Sequence, residues 1–101
     1  MLYSSGISGR DAETNELSDD PDRQAELVFK NMEKLMEVAG GSPENIIHVT
    51  VLLKDFSHRE HVNKHWERLF PDEHSRPARH VHVDDLRGGM LVQCEIVALL
   101  D

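Results

Sequence analysis

The residues best suited to chemistry lie in the last quarter of the sequence, where basic and apolar residues alternate before a glycine turn. Side chains alternate across a strand, so Arg79 shares one side with Val81 and Val83, whereas His80 and His82 lie on the other. A guanidinium in line with apolar side chains is suited to holding a carboxylate through two parallel hydrogen bonds. The alternative is an edge arginine that extends to water or pairs with a carboxylate of the same chain.

Histidine is the second residue type that could do chemistry, with seven copies in the sequence. His58, His61 and His65 stand at i, i+3 and i+7, so they line one side of a predicted helix and could bind Zn²⁺. No cysteine, aspartate or glutamate stands with them in a known zinc spacing, and this side lies opposite the apolar stripe of the helix. We therefore interpret this side as solvated and predict no metal site. His80 and His82 are interpreted as outward or interface residues.

Length and composition favour one soluble domain covering residues 1–101, because a chain of 101 residues cannot divide its core. The sequence is 39% hydrophobic and 30% charged, which is typical of globular proteins. No apolar run approaches the length of a bilayer span, and the N-terminus carries no signal pattern. We therefore expect no membrane partner and a cytoplasmic location.

The charge balance disfavours a nucleic-acid partner. The formal net charge is −8, from 19 acidic and 11 basic residues, whereas affinity for nucleic acid comes largely from lysine and arginine at phosphates. A small anionic metabolite can still bind, because a single arginine can hold it. Cys94 is the only cysteine of the sequence, so the chain cannot form an internal disulfide. We predict that Cys94 is a buried residue of the last strand.

The elements that must position these residues follow the order β(β)αβαββ. Apolar residues at spacings of three and four predict a helix from Asp22 to Ala39, which Gly40 ends. A β-branched strand from Ile46 to Leu53 follows. The second helix is predicted to begin at Ser57, where Ser57 and Glu60 form a capping-box pattern.

The last two strands complete the predicted sheet, one after Pro77 and one from Leu91 to Leu100. Both helices can cover only one face of this sheet, so we expect the other face to meet a partner subunit. The predicted surplus of apolar side chains, more than two helices can shield, consists of Ile47, Val49, Val51, Val81, Val83, Val92 and Val97.

The ordered motifs of the chain resemble the YjgF/RidA family, also called the L-PSP endoribonuclease family, over nearly the whole length. Residues 24–40 are similar to the family helix QTRQALENLKAVLEAAG, and residues 42–55 to SLENVVKVTVFLTD. Residues 76–79 resemble the start of RPARSTVEV, and residues 86–95 resemble LPGGALVEIE. The opening Tyr-Ser-Ser-Gly, residues 11–17 and residues 62–70 match further family segments in the same order. The resemblance rests on the whole ordered series of motifs and not on any single one.

This resemblance implies an α+β, chorismate-mutase-like subunit, with a mixed sheet and two helices on one face. It also implies a homotrimer with ligand clefts between subunits. In deaminases of the family, the arginine after Pro-Ala binds the carboxylate of a reactive enamine or imine acid such as 2-aminoacrylate, and that position is Arg79 here. Ser5 and Asn63 occupy positions similar to cleft residues. The implied activity is that of a 2-iminobutanoate/2-iminopropanoate deaminase, a hydrolase that needs no cofactor.

Three departures from the family pattern surround Arg79. Gln93 stands where the family has its catalytic glutamate, and an amide cannot take up a proton. Glu95 shares the side of Gln93 but lies about 6–7 Å further along the strand. Val81 stands where the family has a cleft cysteine, and the match does not reach the family's N-terminal GPYSQA segment or its cleft tyrosine. We therefore assign Arg79, Gln93 and Glu95 as candidate catalytic residues, and Ser5, Asn63, Arg79 and Val81 as substrate-binding residues.

Three functional hypotheses follow from these residues. The first is an imine/enamine deaminase that acts on small 2-imino acids. The second is a non-catalytic trimeric module that binds a small carboxylate metabolite or a protein partner, and the replacement of glutamate by Gln93 favours it. The third, a ribonuclease or translation inhibitor, comes from the family label and is disfavoured by the charge of −8.

Overall fold

Five strands and two α-helices form the fold of residues 1–100, which the computed structural model describes. Short 3₁₀ turns at Pro43–Asn45 and Phe56–His58 lead into the third strand and the second helix. In chain order the elements are β1 (Leu2–Tyr3), β2 (Ile7–Ser8), α1 (Pro21–Val38), β3 (Ile46–Leu53), α2 (Arg59–Leu69), β4 (Ala78–Val83) and β5 (Val92–Ala98). This order confirms the predicted α+β class.

The sheet is mixed, with the order β1-β5-β3-β4, and β2 also pairs with β5. Strands β3 and β4 are parallel and are joined by α2, whereas β5 is antiparallel to β1, β2 and β3. A parallel pair needs a crossover connection of this kind, because a short turn cannot return the chain to the same end of the sheet. Strand β4 is therefore an edge strand with α2 beside it.

Helix α1 begins and ends with clear local signals. The Asp20 carboxylate accepts a hydrogen bond from the Asp22 N–H at 3.0 Å, and Pro21 occupies the first turn. Gly40, with a φ of +85°, follows the C-terminal cap. Neither helix of residues 1–100 combines the length and apolarity that a membrane span requires.

Both helices cover one face of the sheet, as predicted, but the apolar residues are distributed differently from the prediction. Val49, Val51 and Val92 are fully buried in the core beneath the helices. The opposite face, called the outer face below, carries mainly polar side chains from the other parity of the same strands: His48, Thr50, Leu52, His80, His82, Gln93, Glu95 and Val97. The predicted apolar surplus on this face was therefore wrong, because strand parity places most of the valines inward.

The start of α2 also differs from the prediction. Asp55 caps the 3₁₀ turn before the helix, since its carboxylate accepts a hydrogen bond from the Ser57 N–H at 2.9 Å. The chain then makes a 3₁₀ turn, and α2 begins at Arg59. The predicted Ser57–Glu60 capping box was wrong because His58, and not Ser57, is the cap residue of α2, and it makes no side-chain hydrogen bond there.

A buried glutamine joins α1 to the start of β5. Gln24 is fully buried, and its amide donates to the carbonyls of Ser18 at 2.5 Å and Gly89 at 2.9 Å. Its Oε1 accepts a hydrogen bond from the Leu91 N–H at 2.8 Å. The bonds to Gly89 and Leu91 hold the β4–β5 turn on α1 and thereby fix where β5 begins.

Candidate functional site

Arg79 lies on the helix-covered side of β4. It pairs in register with Val49, which is fully buried, and residues opposite each other in a sheet share a face. The partly buried Arg79 guanidinium donates from Nη2 to Asn63 Oδ1 at 2.5 Å. Its Cζ lies 5.1 Å from the centroid of the Trp66 ring, within the range of a cation–π contact. The structure therefore brings together Arg79 and Asn63, two of the predicted residues.

Trp66 is the neighbour of Arg79 that sequence reasoning missed, since it was assigned only to the apolar stripe of α2. The signal was its spacing from Asn63. Residues three apart on a helix lie on the same side, so any arginine that reaches Asn63 also meets Trp66. Trp66 in turn packs on Phe70, with ring centroids 4.7 Å apart. The indole therefore has a fixed position behind the guanidinium.

Val81 completes this group, which we call the Arg79 edge: Arg79, Val81, Asn63 and Trp66. Val81 lies two residues along β4 on the same side as Arg79 and packs, partly buried, against the hydrophobic core. The edge is open, because β4 has no neighbouring strand beyond it within residues 1–100. A cavity of about 500 Å³ lies elsewhere, between the turn at Pro43–Asn45 and the end of α2, and none of the predicted site residues lines it.

The charge of Arg79 has no acidic partner within residues 1–100, where the salt bridges use other basic groups. Burial lowers the pKa of the guanidinium from its usual value, because it removes water from the charged form. Cys94 does not supply a negative charge, since burial raises the pKa of its thiol to about 12 and keeps it neutral at pH 7. An uncompensated, partly desolvated guanidinium is chemically suited to an anion.

Of the remaining predicted residues, Gln93 and Glu95 lie on the outer face, with Gly6 against the Gln93 amide and the predicted Ser5 next to Gly6 in the chain. We call these four residues the Gln93 face. The Gln93 amide lies directly over Gly6, where an added Cβ would be 1.8 Å from Nε2 and 2.7 Å from Cδ. Any side chain at position 6 would therefore displace Gln93. Ser5 is exposed beside Gly6, and Glu95 is exposed opposite Thr50 of β3.

The Arg79 edge and the Gln93 face do not meet within one chain. Arg79 lies on the helix-covered side, whereas Gln93 lies on the outer face. Strand β3 also separates β4 from β5, which places the two strands about 10 Å apart. A single cleft containing both groups would require two copies of the chain.

The three histidines of α2 were predicted to lie on a solvated side, and this was wrong for His65. Its imidazole is buried, and Nε2 lies 3.2 Å from Asp22 Oδ1 at the start of α1. Lys64 Nζ lies 2.9 Å and His61 Nδ1 3.5 Å from the same oxygen. We call this group the Asp22 cluster. His65 stands three residues after Val62 and four before Leu69, so it lies beside the apolar stripe and packs toward α1.

The histidines of β3 and β4 lie on the outer face. The His48 and His80 ring centroids are 4.9 Å apart, and those of His80 and His82 are 6.2 Å apart, both edge to face. His80 and His82 are exposed, in agreement with the outward interpretation. No three histidine, cysteine, aspartate or glutamate side chains of residues 1–100 are grouped so that they could hold a metal ion.

The fold is that of a known class of small α+β proteins. RidA from the Antarctic bacterium Psychrobacter sp. PAMC 21119 superposes with a TM-score of 0.89 at 32% identity, over 97% of this chain and 79% of that chain. The family model described as Endoribonuclease L-PSP matches residues 1–100, and the chain belongs to this family, as its motifs suggested.

Two curated relatives are similar at the level of sequence. A RutC family protein of Aquifex aeolicus is 35% identical over 100 residues, which cover 98% of this chain and 80% of that protein. Reactive Intermediate Deaminase A, chloroplastic, of Arabidopsis thaliana is 28% identical over 72 residues, which cover 70% of this chain and 38% of that protein.

Proposed function

We propose that this protein hydrolyses small reactive 2-imino acids, with the substrate carboxylate held by Arg79. The observation that carries the proposal is the partly buried Arg79 guanidinium, which binds the neutral Asn63 amide and has no acidic partner within residues 1–100. The relative named as a reactive intermediate deaminase supports this class of reaction. Two parallel hydrogen bonds from the guanidinium would fix the carboxylate and, with it, the adjacent imine carbon.

The proposed working form is a homotrimer with clefts between copies. The separation of the Arg79 edge from the Gln93 face supports this arrangement, because a second copy can place its Gln93 and Ser5 over the Arg79 of the first. The open edge of β4 and the polar outer face are then parts of the same interface. In this form one copy supplies the anion clamp and its neighbour supplies the groups that handle water.

The proposed reaction converts R–C(=NH)–COO⁻ and water into R–C(=O)–COO⁻ and ammonia. Water adds to the imine carbon and forms a C–O bond, the nitrogen gains protons, and the C–N bond then breaks to release ammonia. The imine carbon is already electrophilic, so the protein mainly has to orient the substrate and the water. Gln93 can hold that water through its amide but cannot take its proton. The exposed Glu95 carboxylate, two residues along β5, is the nearest acidic group of its strand.

The second candidate is a non-catalytic module that binds a small carboxylate at the same arginine or docks a protein partner. The specific observation in its favour is Gln93, which leaves the Gln93 face without a proton acceptor at the position of the family glutamate. A ribonuclease function is disfavoured by the net charge of −8.

An imine-hydrolysis assay tests the proposal, with 2-aminoacrylate generated in the assay and the 2-oxo acid measured as product. We expect the wild type to accelerate hydrolysis and Arg79→Ala to lose about 30-fold or more, because charge-assisted hydrogen bonds to the carboxylate disappear. Arg79→Lys should recover part of the loss, and Gln93→Glu should raise the rate above wild type. Arg68→Ala, which removes an arginine of α2 that pairs with Glu33, is the control.

The same assay separates the two candidates. If neither the wild type nor Gln93→Glu accelerates hydrolysis while a carboxylate still binds through Arg79, the deaminase proposal fails and the binding module remains. If Arg79→Ala keeps full activity, the arginine has no part in the reaction.

A further inference from the structure

A second arginine lies beside the Arg79 edge. Arg59 is the first residue of α2, and its Cζ lies 4.8 Å from the centroid of the exposed Phe56 ring. Arg59 and Asn63 are one helical turn apart and so lie on the same side of α2. Asn63 in turn binds Arg79. Besides burial, the charge of Arg59 also lowers the pKa of Arg79, so the two cations lie close enough to interact.

Both arginines are uncompensated. Within the described residues, five other lysines and arginines pair with carboxylates, but neither Arg59 nor Arg79 does. The acidic neighbours of Arg59 contact other groups, since Asp55 accepts the Ser57 N–H and Glu60 lies 3.7 Å from His61. The positive charge of Arg59 also stands at the positive end of the α2 dipole, where a cation is unfavourable in the absence of an anion.

The topology places the two arginines at opposite ends of the strip of surface between β4 and α2, which we call the groove. A helix that joins two parallel strands runs antiparallel to them, so Arg79 to Val81 along β4 follows the same direction as Asn63 to Arg59 along α2. Two residues of strand rise about 6–7 Å, and four residues of helix rise about 6 Å. The apolar Val81 side chain therefore lies between a cation at one end of the groove and a cation at the other.

We infer that Arg59 is a second anion anchor, so that the groove along the Arg79 edge binds short molecules with an acidic group at each end. One carboxylate would lie on Arg79, the carbon chain on Val81, and the second acidic group on Arg59. This inference rests on the proposed role of Arg79 as a carboxylate clamp. It narrows the substrate class to 2-imino acids with an acidic side chain, the imines of short dicarboxylic amino acids.

Calorimetric titration of the full chain with succinate and with butyrate at pH 7 and low salt tests this inference. The two probes have the same number of carbons and differ in the second carboxylate. We expect succinate to bind the wild type about tenfold more tightly than butyrate, the gain of one additional charge-assisted contact. Arg59→Gln should bring this ratio near one. Arg68→Gln, which neutralises another α2 arginine, should leave the ratio at about ten.

The outcomes separate the inference from the proposal beneath it. A ratio near one in the wild type, or the same tenfold ratio in Arg59→Gln, overturns the second anchor. If Arg79→Gln still abolishes binding of both acids in that case, the clamp at Arg79 survives. If Arg79→Gln binds both acids like the wild type, or if the wild type binds neither, both the clamp and the second anchor are overturned.

Discussion

Helix α2 carries two polar groups that differ in how their charges are compensated. In the Asp22 cluster, one carboxylate is contacted by Lys64, His65 and His61, at 2.9, 3.2 and 3.5 Å. At the Arg79 edge, the cation contacts a neutral amide and an aromatic ring and no carboxylate. The charge of the Asp22 cluster is compensated within the chain, whereas the charge of Arg79 is not.

This difference underlies our proposal that the Asp22 cluster serves the fold and the Arg79 edge serves a ligand. A buried or partly buried charge is costly unless an opposite charge or good hydrogen bonds accompany it. The Asp22 cluster meets that requirement with residues from both helices, so its contribution is to helix packing. The Arg79 edge meets it only in part, so a bound anion would complete it.

The largest expected effect comes from giving Arg79 an acidic partner within the chain. Asn63→Asp places a carboxylate of nearly the same shape beside Arg79, where it would compete with any ligand carboxylate. We expect affinity for 2-oxobutanoate, measured by calorimetry, to fall about 30-fold, and the free energy of unfolding to rise by about 1 kcal/mol. Asn63→Ala, which removes the amide without adding charge, is the control and should lose far less affinity. Unchanged affinity in Asn63→Asp would show that Arg79 does not hold the ligand.

Removing a contact from the Asp22 cluster should affect stability and not binding. His65→Ala removes a buried side chain and its contact with Asp22, and we expect it to lower the free energy of unfolding by about 2 kcal/mol. Urea denaturation measures this change. His65→Gln should recover part of it, because an amide can still donate to the carboxylate. A stability loss below a few tenths of a kcal/mol in His65→Ala would contradict a structural role for the cluster.

A smaller effect, dependent on pH, is expected for Asp22 itself. The hydrogen bond from Lys64, with a further one from His65, holds the pKa of the Asp22 carboxyl below its usual value. A lowered folded-state pKa adds stability that is complete above about pH 5 and is lost as the pH falls through that pKa. Asp22→Asn should therefore cost about 0.5–1 kcal/mol at pH 7 and almost nothing near pH 2. An equal cost at both pH values would show that the carboxylate charge is not responsible.

The smallest expected effect concerns the thiol behind the Arg79 edge. Because burial raises the pKa of Cys94 to about 12, we expect no alkylation of the folded protein by iodoacetamide between pH 7 and 9. Affinity for 2-oxobutanoate should likewise stay constant over this range. Rapid labelling, with a parallel loss of affinity, would indicate that a Cys94 thiolate compensates the charge of Arg79. Unfolded protein in urea provides the positive control for labelling.

The parts of the fold set by local pattern were predictable from sequence. Strand alternation placed Arg79 and Val81 on one side and His80 on the other, and the structure confirms this because the pattern depends only on the extended backbone. The buried position of Cys94 follows from the same alternation. The helix bounds were correct to within a few residues, since spacing and capping are also local signals.

Packing between elements was not predictable in the same way. The spacing along α2 places His65 beside Val62 and Leu69, but only the approach of α1 explains its contact with Asp22. The same holds for Val49, because a strand sequence does not say which face the helices cover. At the candidate site, Asn63 beside Arg79 came from the family resemblance, whereas Trp66 was missed and the separation of Gln93 from Arg79 required the sheet order.

Arg79 is proposed to hold a ligand carboxylate and not to be required for the fold. Titration of the wild type and Arg79→Ala with 2-oxobutanoate, combined with urea unfolding of both proteins, tests it most directly. We expect the variant to lose at least about 30-fold in affinity while its free energy of unfolding changes by less than about 1 kcal/mol. Equal affinity in the two proteins, together with a variant destabilised by several kcal/mol, would show that the arginine is structural and would contradict the claim.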